Sequence, residues 1–315
     1  MRHLPFTPTP IDSSVRLAGR LGIRLFIKRD DLFPLSGGGN KARKLQYIMA
    51  SAQERRVDAV VTAGGLQSNH VRATAVMAAK LGWKATMVIH SRKPRGRILA
   101  GNLKLTQLAG ARLRFVEAKE VSTAMDTAMS DLKDAGHNPL LIPGGGHSPE
   151  GTYAYYAAVK EVRSQLRPGD YPEFIVMASG TGTTQAGIAA GCHEVFPKCK
   201  VIGVSVARET ARGSTIIGEG IDGLYALLGK GRPRDIDVRL DDKFTGGGYE
   251  AVTPGVLDTI KWASANEGLI QDPTYTGKAF HALRAYVAKK KIPRGANVLF
   301  WHTGGLMNLV ASKSL

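Results

Sequence analysis

Lys41 follows three glycines and Asn40 and opens a helix-like stretch. An amine at a helix N-terminus feels an unfavourable dipole, which helps lower its pKa. A lysine kept partly neutral can form an imine with a carbonyl compound. Lys44 lies one turn further on, within reach of a phosphate. Alone, either lysine reads as a solvated side chain. The run Ser179-Gly-Thr-Gly-Thr-Thr184 gives them context. It follows the strand-like Phe174–Met177 and precedes a helical run, Gln185–Ala190. Helix N-termini offer free N–H groups to anions, glycine permits close backbone approach, and the Ser and Thr hydroxyls add donors. The run is no Walker loop, for it lacks the Gly-Lys pair, and no dinucleotide fingerprint, for the third glycine is misplaced. Ser68-Asn69-His70 opens another helix after Gly64-Gly65. Ser and Asn are common caps, but two in series leave side chains to face a ligand.

Such turns need strands to end on them. Short apolar runs at 59–62, 85–89, 113–116, 174–177, 201–204 and 298–301 read as strands. Helices are predicted at 41–56, 70–82, 98–109, 122–135, 151–166, 183–195, 254–267 and 277–290. This alternation means an α/β fold with parallel-rich sheets and helices on both faces. The strand ends then share one functional edge. A chain of 315 residues exceeds the usual single core of about 250–300 residues, so one large or two medium domains are expected. Strand–helix units fall in two sets, within 46–159 and from 170 onward, which reads as two lobes with a cleft between them. The glycine- and charge-rich stretch 208–252 reads as a long, irregular surface excursion bordering the site.

The formal charge of +17, from 43 Lys and Arg against 26 Asp and Glu, points to an anionic partner. Nucleic acid is one candidate, yet the basic residues are scattered and no zinc-finger or aromatic RNA-binding motif is present. The dense cluster Ser91-Arg-Lys-Pro-Arg-Gly-Arg97 reads as a solvated loop, or as a lure for an acidic substrate or a phosphorylated cofactor. No apolar run reaches the 18 or so residues of a membrane span, and the N-terminus lacks the apolar core of a signal peptide. A cytoplasmic location is therefore expected. Cys192 and Cys199 form neither a zinc pattern nor a disulfide framework and read as free thiols; no metal is expected.

Together, Gly38-Gly-Asn-Lys-Ala-Arg-Lys-Leu45, Gln67-Ser-Asn-His-Val-Arg72, Ser179-Gly-Thr-Gly-Thr-Thr-Gln-Ala-Gly187 and Asp272-Pro-Thr-Tyr-Thr-Gly-Lys278 resemble the pyridoxal-phosphate (PLP) enzymes of tryptophan-synthase-β fold (fold type II). The resemblance is closest to the D-cysteine desulfhydrase and 1-aminocyclopropane-1-carboxylate (ACC) deaminase family. It spans Ile27 to Gly305 and implies a two-domain fold, with 1–45 and 160–315 forming the larger, PLP-binding domain and 46–159 the smaller one. It implies that Lys41 carries PLP as a Schiff base and moves the α-proton, and that Asn69 bonds the PLP phenolic oxygen. Thr181, Gly182, Thr183 and Thr184 resemble the phosphate loop, assisted by Lys44, and Thr303 lies near the pyridine nitrogen. Ser68 and His70 match positions near the substrate carboxylate, and Tyr275 matches a substrate-facing tyrosine. Ser68 and Tyr275 join Lys41 as catalytic candidates; Asn69, Tyr249 and Thr276 complete the substrate set. A homodimer is expected on the same ground.

Two departures bear on substrate. Thr276 stands where ACC deaminases carry Glu, and a hydroxyl cannot hold a pyridine nitrogen protonated as a carboxylate does, so ACC opening is disfavoured. The family's Gly-Tyr-Gly loop reads Gly246-Gly-Gly-Tyr-Glu250 here, a displacement that leaves open whether Tyr249 reaches the second substrate-facing position. The expected activity is that of a lyase performing α,β-elimination, or β-replacement, on a small β-substituted amino acid such as cysteine through an aminoacrylate. The alternatives are an ACC-type deaminase or an amino-acid racemase on the same cofactor and, outside enzymes, a nucleic-acid-binding α/β protein.

Overall fold

The computed structural model describes residues 1–91 and 100–312. The basic cluster within 91–97 lies almost wholly outside the described residues. The chain opens with β1 (Ile11–Ser14), α1 (Val15–Leu21), β2 (Arg24–Arg29), α2 (Asn40–Glu54) and β3 (Ala59–Gly64). It continues through α3 (Asn69–Leu81), β4 (Lys84–His90), α4 (Gly101–Leu108), β5 (Arg112–Val116), α5 (Val121–Asp134), β6 (Pro139–Leu141) and α6 (Pro149–Gln165). Then come β7 (Phe174–Ser179), α7 (Thr183–Val195), β8 (Lys200–Ser205), α8 (Thr210–Leu227) and β9 (Arg239–Asp241). The chain closes with α9 (Pro254–Glu267), α10 (Thr276–Ala288), β10 (Asn297–His302) and α11 (Leu306–Ala311).

The strands form a six-stranded sheet, ordered β1-β2-β10-β7-β8-β9, and a four-stranded sheet, ordered β5-β4-β3-β6. Every pairing is parallel except β1 with β2. Side chains of a strand alternate between faces, and in the larger sheet both faces are covered. Phe174, Val176, Val298 and Phe300 face a core with α1, α9 and α10, whereas Ile175, Met177, Leu299 and Trp301 face α6 and α7. In the smaller sheet α2 and α3 cover Val60, Met87 and Ile89, and α5 packs against β3, β4 and β6. Helix α6, which spans residue 160, packs through Tyr155, Val159 and Val162 on the larger sheet. Among the described residues no helix is long and apolar enough to cross a membrane.

All six expected strands and all eight expected helices are present, with shifted ends. The reading of 208–252 as an irregular excursion is corrected: it holds the 18-residue α8 and strand β9. Ile217, Ile221 and Leu224, at helical spacing, are fully buried and pin α8 to α7.

Candidate active site

The glycine-containing turns gather at the C-terminal ends of parallel strands, at 64–68 after β3, 144–146 after β6, 180–182 after β7 and 303–305 after β10. Lys41 enters from the start of α2. A network of charges beneath α2 sets its place. Asp30 is wholly buried and accepts hydrogen bonds from Arg43 (2.8 Å), Thr9 (2.8 Å), Tyr155 (2.6 Å) and Trp301 (2.9 Å). Arg43 also donates to Glu161, which accepts from buried Lys28 as well. Arg72 clamps the loop before Lys41 from α3, donating to the carbonyls of Ser36 (2.8 Å), Gly37 (3.0 Å) and Gly38 (3.0 Å). Gly37 must lack a side chain, since a Cβ there would lie 2.9 Å from the Arg72 guanidinium carbon.

The amines of Lys41 and Lys44 both donate to the Gly145 carbonyl, at 3.3 and 3.1 Å. Among the described residues neither has a carboxylate partner. Burial first, with the nearby charge of Arg208, lowers the Lys41 amine to about 8. Burial and the Lys41 charge push Lys44 well below its ordinary value. A substantial neutral fraction of Lys41 is therefore available near neutral pH.

An inner cleft runs from Asn40, Lys41 and Asn69 to Thr181, Gly182 and Thr184, and is closed by Tyr275 and Thr303. Gly182 caps α7 in the left-handed region, φ 84°, and its α7 has no side-chain cap. The N–H groups of Thr183, Thr184 and Gln185 therefore have no intrahelical acceptor. Asn40 donates to the Thr184 hydroxyl (3.1 Å), which keeps the Thr184 proton available. The Thr183 hydroxyl is buried against His147 (2.8 Å) and is off the cleft wall, so Thr183 offers its backbone N–H. The Asn69 oxygen accepts from Asn102 (3.0 Å), leaving its amide donor for the cleft.

An outer chamber of about 630 Å³ shares Lys41, Gly180, Thr181 and Tyr275 with the cleft and adds Ser68, His70, Tyr249 and Arg208. Ser68 caps α3 by accepting the Val71 N–H (3.2 Å), so its own proton is free. The His70 ring turns to Thr62 (2.9 Å). Thr62 spends its proton on the Ile142 carbonyl (2.6 Å), so His70 is protonated at Nε2 and its buried Nδ1 is a bare acceptor. Burial first, then Lys41 and Lys44, holds this imidazole neutral. The ring thus does not suit a carboxylate; the His70 backbone N–H, free at the start of α3, does. Tyr249 does reach the site: its hydroxyl contacts that of Tyr275 and the rings stand edge to face. What differs here is Glu250 beside it, on the same chamber wall. Thr276 lies off both walls, its hydroxyl donating to buried Asp272 (2.7 Å). Arg72, Asn102, Asp272 and Arg208 had no assigned role in the sequence; Arg72 and Asp272 carried a signal, as the last residue of the Gln67–Arg72 motif and the first of the Asp272–Lys278 motif.

The family model described as "pyridoxal-phosphate dependent enzyme" matches residues 3–304. The chain belongs to this family of pyridoxal-phosphate-dependent enzymes. It is 33% identical over 313 residues to a D-cysteine desulfhydrase of Salmonella typhimurium, covering 96% of this chain and 93% of that one. It is 35% identical over 306 residues to a putative ACC deaminase of Pyrococcus abyssi, covering 95% and 89%. A solved ACC deaminase homologue superimposes with a TM-score of 0.89 at 33% identity, covering 97% and 91%. A threonine deaminase (TM-score 0.69, 20% identical, 95% and 93% covered) shares the fold.

PLP is accordingly the cofactor, and the site fits it. Among the described residues two buried amines lack an acidic partner, the open N-terminus of α7 offers unpaired N–H groups to a phosphate, and no carboxylate lines the inner cleft. Thr181→Val and Thr184→Val are each expected to weaken PLP retention. Losing a hydrogen bond to a charged group costs about 1.5–3 kcal/mol, or roughly 10- to 150-fold in dissociation constant. Cofactor titration of the apoenzyme measures this; unchanged affinity in both variants would place the cradle elsewhere.

Proposed function

We propose that the enzyme performs α,β-elimination, or β-replacement, on a small β-substituted amino acid such as cysteine. The supporting observation is the Lys41 amine, lowered to about 8, standing where the inner cleft meets the outer chamber. When bound, PLP takes up the electron pair left at the substrate α-carbon. Asn69 and Thr303 would bind the cofactor ring from the cleft wall, and Thr181, Gly182, Thr184 and the Thr183 N–H, with Lys44, would hold its phosphate. The Ser68 hydroxyl and the first N–H groups of α3 bind the substrate carboxylate. Lys41 carries the α-proton, and the Tyr275–Tyr249 pair walls the side-chain end. Residues 1–45 with 160–315 serve as the cofactor-binding lobe and 46–159 as the smaller lobe, except that α6, which packs on the larger sheet, goes whole with the cofactor-binding lobe. The enzyme works as a cytoplasmic homodimer on a small molecule, with no nucleic-acid partner; two free cysteines fit a reducing compartment.

The absence of a carboxylate from the inner cleft separates this reading from ACC opening, which builds charge on carbon without a heteroatom leaving group and needs a protonated ring nitrogen. Thr276 supplies none, being occupied by Asp272. Elimination is less demanding because the leaving group removes the charge. The kcat/KM for the best of a panel of D- and L-β-chloroalanine, cysteine and O-acetylserine is expected to exceed that for ACC by about tenfold or more, a barrier difference of about 1.4 kcal/mol. ACC as the best substrate, yielding 2-oxobutyrate, would reverse the assignment.

A further inference from the structure

Arg208 follows β8 and lies on the wall of the outer chamber, outside the inner cleft. Both ends of the residue are held. Ser205 Oγ donates to the Arg208 carbonyl (2.6 Å), and Nη1 donates to the carbonyl of Gly180, the first residue after β7. The side chain is half-buried, yet among the described residues no Asp or Glu forms an ion pair with it. Glu250 is on the same chamber wall but is exposed and makes no pair with Arg208. A guanidinium has five N–H donors in a rigid fork, and one is committed to Gly180. The remaining donors suit two oxygens of one anion. A half-buried cation without a counter-charge, fixed beside Lys41 and facing the space left for substrate, is a selectivity element awaiting its anion.

Resting on the elimination reading above, we propose that Arg208 selects amino acids whose β-substituent is an oxyanion, a sulfonate or a phosphate ester, and holds that group as it departs. A carboxylate would fit the fork equally but does not leave in a β-elimination; sulfite and phosphate do. The proton at Cα passes to Lys41 Nζ and the Cα–H electron pair becomes the second Cα–Cβ bond. The Cβ–S or Cβ–O pair leaves with the oxyanion, and one water converts the released enamine to pyruvate and ammonium. Charge that grows on the departing oxygens meets a donor already in place.

The test compares wild type, Arg208→Gln and Arg208→Lys as PLP-loaded enzymes on 3-sulfoalanine, O-phosphoserine and β-chloroalanine. In the wild type, one of the two oxyanion substrates should have the highest kcat/KM of the three. The ratio of that value to the β-chloroalanine value should fall by about 30-fold or more in Arg208→Gln, and by less in Arg208→Lys, which keeps the charge but not the fork. Calorimetry supplies a readout that needs no turnover: 3-sulfopropanoate should bind the wild-type holoenzyme at least about tenfold more tightly than butanoate, and Arg208→Gln should erase the difference. An unchanged ratio, or equal binding of the two ligands, overturns the proposal. So does loss of PLP from Arg208→Gln, which would assign the guanidinium to the cofactor phosphate. If no β-substituted amino acid is turned over, the elimination reading fails, and the calorimetric difference still decides whether Arg208 captures an oxyanion.

Discussion

Lys41→Ala is expected to reduce kcat/KM on the best substrate by about 10⁴-fold, the upper end of what a positioned acid–base group contributes. The variant should still take up PLP through the N-terminus of α7, since Thr181, Thr184 and the free N–H groups are untouched. Borohydride reduction of wild type should leave the pyridoxyl group on Lys41. Lys44 donates to the same carbonyl and is the alternative target; labelling there would overturn the assignment. The pH dependence of cofactor capture follows from the lowered amine. A lysine near 8 is charged below that value and neutral above it, so capture should accelerate as pH rises from 6.5 and level off above about 9. At pH 7.5 about a quarter of such amines are neutral, against about 0.1% for an ordinary lysine. A rate that keeps rising beyond pH 9.5, as for a solvated lysine, would contradict the burial argument.

Sequence patterns revealed elements whose signals are local. Strands β3, β4, β7, β8 and β10 carry continuous apolar runs because parallel strands are buried on both faces. Strand β2 escaped because Arg24-Leu-Phe-Ile-Lys-Arg29 is bracketed by charge, and the partner that lets Lys28 sit fully buried, Glu161, is more than a hundred residues away. Helix α8 escaped because its glycines look like loop punctuation. Two of them are packing positions: a Cβ at Gly213 would lie 2.2 Å from Leu240, and one at Gly220 would lie 3.1 Å from Ala186. Positions on the cleft wall were legible where a residue sits on or just after a glycine turn, as Lys41, Asn69 and Thr181 do. The site was not legible where a role depends on a hydrogen-bond chain. Only the folded chain brings Thr62 to fix the tautomer of His70, Asn102 to orient Asn69, and Asp272 to draw Thr276 from the cleft.

The support beneath the site makes the remaining large effect one of stability. Asp30→Asn is expected to cost about 3–5 kcal/mol, because removing one charge of a buried pair leaves the other uncompensated. Burial pushes the Asp30 carboxyl up, and Arg43 and Lys28 outweigh it, holding it below its ordinary 3.8. The amide of Asn keeps one acceptor for four donor groups, Arg43, Thr9, Tyr155 and Trp301, and turns an NH₂ toward one of them. The sign of the pH effect follows. A carboxylate depressed in the folded state contributes its stability fully above its unfolded pKa and loses it as pH falls through the folded value. Wild type should therefore lose stability below about pH 4 more steeply than Asp30→Asn. The exposed pair Arg114–Asp131 supplies the contrast, and Asp131→Asn should change stability by no more than about 1 kcal/mol. Urea unfolding of the three proteins at pH 7 and at about pH 3, below the unfolded carboxylate range, measures these differences. If Asp30→Asn were as mild as Asp131→Asn, α2 would be held by its apolar face alone, through Ala42, Leu45 and Met49. If instead the large loss is found and surviving folded variant has lost activity, the charges under α2 do more than hold the lobe together. They set where the Lys41 amine stands relative to Gly145 and the open end of α7.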